Sequence, residues 1–167
     1  ILSLSWENFY KYGSGNIIDF TRIGGLSGII AENRSGKSSI FDLIVYALFD
    51  KPLRGHVADI IRTGEKSAKF KIVFEVNGVK YELTRICRLN NTSAEHKFIM
   101  YHADGKTELL NKDSIKKTYD RIRNLIGTID DFKNSSLYYD NSDSILQKDL
   151  YKILKPLLGF NDENILK

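Results

Sequence analysis

Apolar and polar side chains alternate from Ile1 to Trp6, with Ile1, Leu2, Leu4 and Trp6 set against Ser3 and Ser5. That period predicts a half-buried strand. The Gly- and Asn-containing stretch from Asn8 to Gly15 predicts a loop, and Asn16 to Phe20 a second strand. Gly24-Gly25 then turns the chain into a short apolar strand, Leu26 to Ile30. From Ser38 to Phe49 the sequence is apolar nearly all round, the pattern of a helix buried on more than one side, and Pro52 ends it. Lys51 to Gly64 is polar and basic around Val57 to Ile61, which predicts a short helix with a basic exit at Arg62-Thr63-Gly64.

The clearest period follows. Phe70, Ile72, Phe74 and Val76 share one face of a strand from Ala68 to Val76. Asn77-Gly78 is the strongest two-residue hairpin signal, and Val79 to Ile86 returns with Val79, Tyr81 and Leu83 in phase and Arg85 as a break before Ile86. A polar loop from Leu89, a strand from Lys97 to His102, a turn at Ala103 to Lys106 and a strand from Thr107 to Leu110 complete a meander of about four strands. Asn111 or Asp113 is placed to cap a helix from Ser114 to Ile126, closed by Gly127, with Ile115, Tyr119, Ile122 and Ile126 at helical spacing. Its other face carries Lys116, Lys117, Arg121 and Arg123, either a solvated surface or a basic stripe facing DNA. Asp130 to Tyr139 reads as a loop ending in a strand, Ser136 to Tyr139, and Ile145 to Leu158 as a last helix with Pro156 late in it.

Chemistry concentrates at Gly28-Ile29-Ile30-Ala31-Glu32-Asn33-Arg34-Ser35-Gly36-Lys37-Ser38-Ser39. A strand, a small polar loop ending in Gly-Lys-Ser, and an apolar helix make the layout of a phosphate-cradling P-loop, the Walker A motif. Inward-facing backbone N–H groups form an anion nest, and the helix N-terminus adds about half a positive charge. Lys37 is positioned to reach the β- and γ-phosphates of ATP, and the Ser38 hydroxyl to ligate Mg²⁺. Asn33, Arg34, Ser35, Gly36 and Ser39 complete the candidate cradle. Ala31 stands where the pattern has its first Gly, which is tolerable only if the backbone there is not left-handed.

The chain has 167 residues, 42% of them hydrophobic, enough for one domain or one lobe of a larger one. Its 25 basic and 21 acidic residues give a net charge of +4, which permits a polyanionic partner without requiring one. A lone Cys87 makes no internal disulfide, so an intracellular, reducing setting is expected, and no apolar run reaches the length of a bilayer span.

With these pieces in order, the chain resembles the N-terminal ATPase lobe of the SbcC-type DNA double-strand-break-repair ATPases, in the structural-maintenance-of-chromosomes clan. The resemblance is carried by Trp6-Glu7-Asn8-Phe9 through Ile18-Asp19-Phe20; by Ala31 to Ser39 with Phe41-Asp42 and Tyr46 to Phe49; by Arg62-Thr63-Gly64, the Asn77-Gly78 hairpin, Tyr81 and Thr84-Arg85; and by Leu157-Leu158-Gly159-Phe160. It implies an α/β fold, a P-loop NTPase of ATP-binding-cassette type with an antiparallel β-meander after the P-loop helix. Residues 1–167 would be a single lobe, a P-loop core plus a β subdomain, followed by a coiled coil. Arg62 joins the nucleotide-binding set through the same resemblance. The family has Gly where Arg34 stands. It also has a Gln contacting Mg²⁺ and the attacking water at the place that falls on Asp140; Asp140 is then a metal ligand or simply a turn former, and Gln147 is its rival.

The resemblance also implies a split site. The Walker B aspartate, the catalytic glutamate and the signature motif belong to a C-terminal lobe, so this chain alone is expected to be inactive. Two heads would clasp Mg-ATP as a homodimer and control a nuclease subunit on DNA ends, through phosphate contacts without base reading. A different class of function is a nucleotide-gated scaffold that binds ATP without hydrolysing it, with Ala31, Arg34 and Asp140 as its marks. A small-molecule phosphotransferase is the weakest alternative, since no Arg-rich lid is visible.

Overall fold

A computed structural model describes residues 1–25, 27–89, 95–111 and 114–136. The chain separates into two compact units, Ile1–Gly127 and Thr128–Lys167. The first is built on a six-stranded sheet of β1 (Ser3–Glu7), β2 (Asn16–Asp19), β3 (Ser67–Val76), β4 (Val79–Arg88), β5 (Glu95–Tyr101) and β6 (Thr107–Leu109). Their order is β2-β1-β3-β4-β5-β6 and every pairing is antiparallel. The opening strands and the meander, which read as separate groups in the sequence, are therefore one sheet, joined where β1 pairs with β3. Asn77 and Gly78 both take left-handed backbone angles, φ 51 and 77, as a two-residue hairpin turn requires.

One face of the sheet is apolar. Leu4, Trp6, Phe70, Ile72, Phe74, Tyr81, Leu83 and Phe98 are buried on it, and Phe74, Tyr81 and Phe98 stack with centroids 5.5, 6.4 and 5.7 Å apart. Helix α1 (Lys37–Phe49) packs on β3 and β4 with one side and on α3 (Ile115–Ile126) with the other. That double contact is why α1 is apolar around its circumference: Leu43 to Phe49 are all buried. A short helix, α2 (Val57–Ile60), follows the turn after α1.

Arg85 does not interrupt the period of β4. It lies in phase with Tyr81 and Leu83 on the buried face, only 4% exposed. Its guanidinium pairs with Asp50, donates to the Tyr119 hydroxyl at 3.0 Å, and lies 4.5 Å from the Tyr46 ring centroid. Tyr119 in turn donates to the Ala47 carbonyl at 3.2 Å. Asp50, left-handed at φ 59, ends α1 before Pro52 is reached. The acidic residue inside α1, Asp42, is buried too and is held by Arg54.

Other expectations are corrected. Ser27 to Ile30 forms no strand: among the described residues none pairs with it, and Ile30 is 97% exposed and Ile29 51%. Phe20 leaves β2 and begins a single 3-10 turn, Phe20–Arg22, capped by Asp19. The cap of α3 is Ser114, whose hydroxyl accepts from Lys117 N at 3.2 Å. Asn111 instead accepts from Phe98 N and donates to the His96 carbonyl, fastening the segment after β6 to β5, and Asp113 lies outside the described residues. In the second unit, 129–136 is a helix, α4 (Ile129–Ser136), where the sequence pattern predicts a loop. Its start is a reciprocal cap: the Asp131 carboxylate accepts from Thr128 N and Oγ1, and Thr128 Oγ1 accepts from Asp131 N. The strand through Tyr139, Asp140, Gln147 and the last helix lie outside the described residues.

Removing Arg85 would leave the Asp50 carboxylate and the Tyr119 hydroxyl without their guanidinium, beside two tyrosine rings. Arg85→Ala is expected to lower the unfolding free energy by about 3 kcal/mol, read from urea melts, and a loss under about 1 kcal/mol contradicts the assignment. Burial pushes the Tyr119 phenol up to about 12, against the pull of Arg85 beside it. The folded state then keeps a proton that the unfolded chain releases near 10.0, so stability is complete below pH 10 and falls as pH rises to about 12. Tyr119→Phe should make that alkaline decline shallower.

Candidate functional site

The loop before α1 turns twice through left-handed backbone. Arg34 has φ 63 and Gly36, the residue that opens the helix, has φ 108. Glycine takes that conformation freely; arginine does so at a cost of about 1 kcal/mol. Ala31 is not left-handed, so a Cβ in place of glycine is harmless there. Between the turns, Ser35 N donates to the Glu32 carbonyl at 3.3 Å, and Ser39 N to the Gly36 carbonyl at 2.9 Å starts the helix. The Lys37 ammonium folds back over the loop and donates to the carbonyls of Ala31 at 2.6 Å and Glu32 at 2.7 Å.

A cleft of about 750 Å³ opens above this loop. Asn33, Arg34, Gly36, Lys37, Ser38 and Ser39 line it from one side; Tyr10, Lys11, Arg54, Gly55, Asp59, Ile61 and Thr63 line it from the others. Among the described residues that line it, Lys11, Arg34, Lys37 and Arg54 (the last paired with Asp42) stand against one carboxylate, Asp59, so an anion is the ligand this cleft favours. Asp42 lies beneath the rim with Arg54 on its carboxylate. Burial raises the pKa of the Tyr10 phenol, helped by Asp42 and Asp59 and opposed by Arg54; burial alone raises that of Tyr12. Both phenols therefore stay neutral donors at physiological pH.

Of the residues singled out from the sequence, Asn33, Arg34, Gly36, Lys37, Ser38 and Ser39 come together. Ser35 is in the loop but does not line the cleft. Arg62 is not brought to it: its backbone N donates to the Asn8 carbonyl, and its guanidinium lies against Gly13, where a Cβ would meet Nη1 at 2.7 Å. Asp140 and Gln147 lie outside the described residues. Sequence reasoning missed Tyr10, Lys11, Arg54, Asp59 and Thr63. Arg54 had a signal, because an acidic residue inside an apolar helix needs a nearby cation and Arg54 follows the turn. Lys11 had none, being 23 residues from the loop it touches.

The donor set fits a polyphosphate with a hard cation: loop amides and ammonium for phosphate, the Ser38 hydroxyl for the cation. Among the described residues no cluster of three or more His, Cys, Asp or Glu could hold a metal by itself, and no helix is long and apolar enough to cross a membrane.

A family profile described as an AAA domain matches residues 3–165. An uncharacterised protein of Acanthamoeba polyphaga mimivirus is 31% identical over 164 residues, covering 91% of this chain and 12% of that protein. A DNA double-strand break repair Rad50 ATPase of Methanocaldococcus jannaschii is 44% identical over 78 residues, 47% of this chain and 8% of that protein. An SbcCD nuclease subunit of Deinococcus radiodurans, its SbcC component, is 26% identical over 129 residues, 75% of this chain and 14% of that protein. The chain thus spans no more than about a seventh of the length of these relatives. The likeness to SbcC-type repair ATPases expected from the motifs is borne out.

The geometry at Gly36 is testable without a ligand. A Cβ there would meet the Tyr12 ring at 3.2 Å on a backbone that disfavours side chains. Gly36→Ala should lower stability by about 1–2 kcal/mol in chemical melts; an unchanged melt would mean the loop is not held in this conformation.

Proposed function

The chain belongs to the AAA domain family, and we propose that it is the ATP-binding half of a DNA-repair ATPase head of SbcC type. Its fold is a P-loop NTPase fold of ATP-binding-cassette type. The observation that carries the functional reading is the Lys37 ammonium, held over the loop by two carbonyls that are weaker partners for it than phosphate oxygens.

In this reading Lys37 leaves Ala31 and Glu32 for the β- and γ-phosphates of ATP. The loop's backbone N–H groups other than those of Ser35 and Ser39, together with the N-terminus of α1, hold the remaining charge. The Ser38 hydroxyl would hold Mg²⁺, with Asp140 as second ligand and Gln147 as the rival for that place, and the ion would supply neutralisation of charge on the transferred phosphate. Among the described residues lining the cleft, Asp59 is the one carboxylate that could orient an attacking water, and it is engaged with the backbone N of His56 at 2.6 Å. The general base is therefore assigned to a C-terminal ATPase lobe. Exposed Ile29 and Ile30 support this, because among the described residues this apolar segment has no sheet partner and offers an edge to another strand. The same reading has a coiled coil joining the lobes, two heads clasping ATP as a homodimer, a nuclease subunit as partner, and an intracellular setting.

DNA is proposed to meet the head through α3. Lys116 and Lys117 are exposed and Arg121 is half-buried, while Arg123 is engaged with Asp120. The contacts would be to phosphates and independent of sequence. The scaffold alternative, binding without turnover, draws on Arg34 in its left-handed position.

In calorimetry, Lys37→Ala should weaken Mg-ATP binding by roughly tenfold or more while the melt is unchanged; equal affinity removes Lys37 from the site. With this chain joined to its C-terminal lobe, ATP turnover lost in Lys37→Ala supports the ATPase, and tight binding with no turnover supports the scaffold. Changing Lys116 and Lys117 to Glu should weaken DNA binding and make the logarithmic salt slope shallower by roughly two. An unchanged slope assigns that face to solvent.

A further inference from the structure

Both left-handed residues of the loop, Arg34 and Gly36, are gripped through their carbonyl oxygens by consecutive side chains of one remote segment. Lys11 Nζ donates to the Arg34 carbonyl at 2.9 Å, and the Tyr12 hydroxyl to the Gly36 carbonyl at 3.1 Å. The segment that reaches across is itself fixed. Asn8 N donates to the Gly13 carbonyl at 2.9 Å, Tyr12 N to the Phe9 carbonyl at 2.9 Å, and Tyr10 N to the Ile60 carbonyl at 2.8 Å. Phe9 is fully buried, and Trp6 meets the Tyr12 ring edge-on at 5.3 Å. Lys11 is thus delivered from a rigid base rather than from a loose surface turn.

The two grips have different tasks. Gly36 adopts its conformation at no steric cost. Arg34 does not, and without restraint its turn would relax toward the right-handed or extended regions, rotating the neighbouring amides out of the cradle. An ammonium on the carbonyl of that residue makes a charge-assisted hydrogen bond available only while the turn is held. We propose that Lys11 is a positioning residue of the nucleotide site: its bond to the Arg34 carbonyl keeps an arginine in a place suited to glycine and so keeps the loop amides directed at phosphate. This rests on the nucleotide reading of the loop. Lys11 acts through Arg34, not on the reacting atoms.

A double-mutant cycle separates that role from a direct one. Mg-ATP affinity is measured by calorimetry for the chain, Lys11→Met, Arg34→Gly and the double variant, with Lys11→Arg as the conservative replacement. Lys11→Met should weaken binding about tenfold when Arg34 is present and less than about twofold in the Arg34→Gly background, where no latch is needed. Lys11→Arg should stay within about threefold of the unchanged chain. An equal loss in both backgrounds overturns the proposal, because Lys11 would then be touching the nucleotide itself; so does no loss when Arg34 is present. Hydrogen exchange of the nucleotide-free chain gives a second reading. Lys11→Met should speed exchange of the amides of residues 34–37, and unchanged exchange overturns the latch. If the unchanged chain binds no ATP, the nucleotide reading has failed, and exchange still decides whether the latch exists.

Discussion

Helix α1 is buried from Asp42 to Phe49, so its C-terminal end must be satisfied by protein, while its first turn, with Ser38 and Phe41 exposed, opens on the cleft. At the C-terminal end Asp50 turns left-handed, caps the helix through a bond from its N to the Tyr46 carbonyl at 3.0 Å, and presents its carboxylate to Arg85. A buried guanidinium costs several kcal/mol unless it is surrounded by partners. Here the partners are Asp50, the Tyr119 hydroxyl and two ring faces, each from α1 or α3. Burial presses the guanidinium toward losing its proton, but Tyr119, Tyr46 and Asp50 more than offset that, and its pKa ends above the ordinary value. The charge therefore stays, and it fixes where α1 stops and which side of α3 faces it.

That anchoring matters at the opposite end of the same helix. Packed on β3, β4 and α3, α1 presents the Gly36 turn and the Lys37 ammonium at its opposite end. The segment between β1 and β2 then braces the loop from the outside. A phosphate cradle needs this rigidity, because its donors are backbone amides whose direction is set entirely by the turns between them. Among the described residues lining it, the cleft is cationic by four side chains to one, and the cations come from three separate parts of the chain. Its affinity for anions is thus a property of the fold as much as of the P-loop string.

Much of this was legible in the sequence. The Asn77-Gly78 hairpin, the alternation of β3 and the all-round apolarity of α1 follow from strong local periods with agreeing turn residues. The Gly-Lys-Ser string at the start of that helix identified one side of the cleft, Asn33, Arg34, Gly36, Lys37, Ser38 and Ser39. What could not be read depended on distant partners. Arg85 looked like a break in β4 because a cation on an apolar face is unfavourable until Asp50 and Tyr119 are beside it. Residues 27–30 looked like a strand because Ile29 and Ile30 are apolar, yet a strand exists only with a neighbour, and among the described residues this sheet supplies none. Lys11 gave no local sign of its contact with Arg34. The helix at 129–136 had a readable cue, as Arg54 did, since Thr128 and Asp131 stand at capping distance.

In the nucleotide reading the Lys37 ammonium exchanges its own loop's carbonyls for the phosphates of a nucleotide. A crystal structure of the chain grown with Mg²⁺ and a non-hydrolysable ATP analogue decides this. Lys37 Nζ is expected to withdraw from Ala31 and Glu32 and sit on the phosphate oxygens, with the Ser38 hydroxyl on the metal. Nucleotide bound elsewhere, or bound in the cleft while Lys37 still caps those two carbonyls, would contradict it.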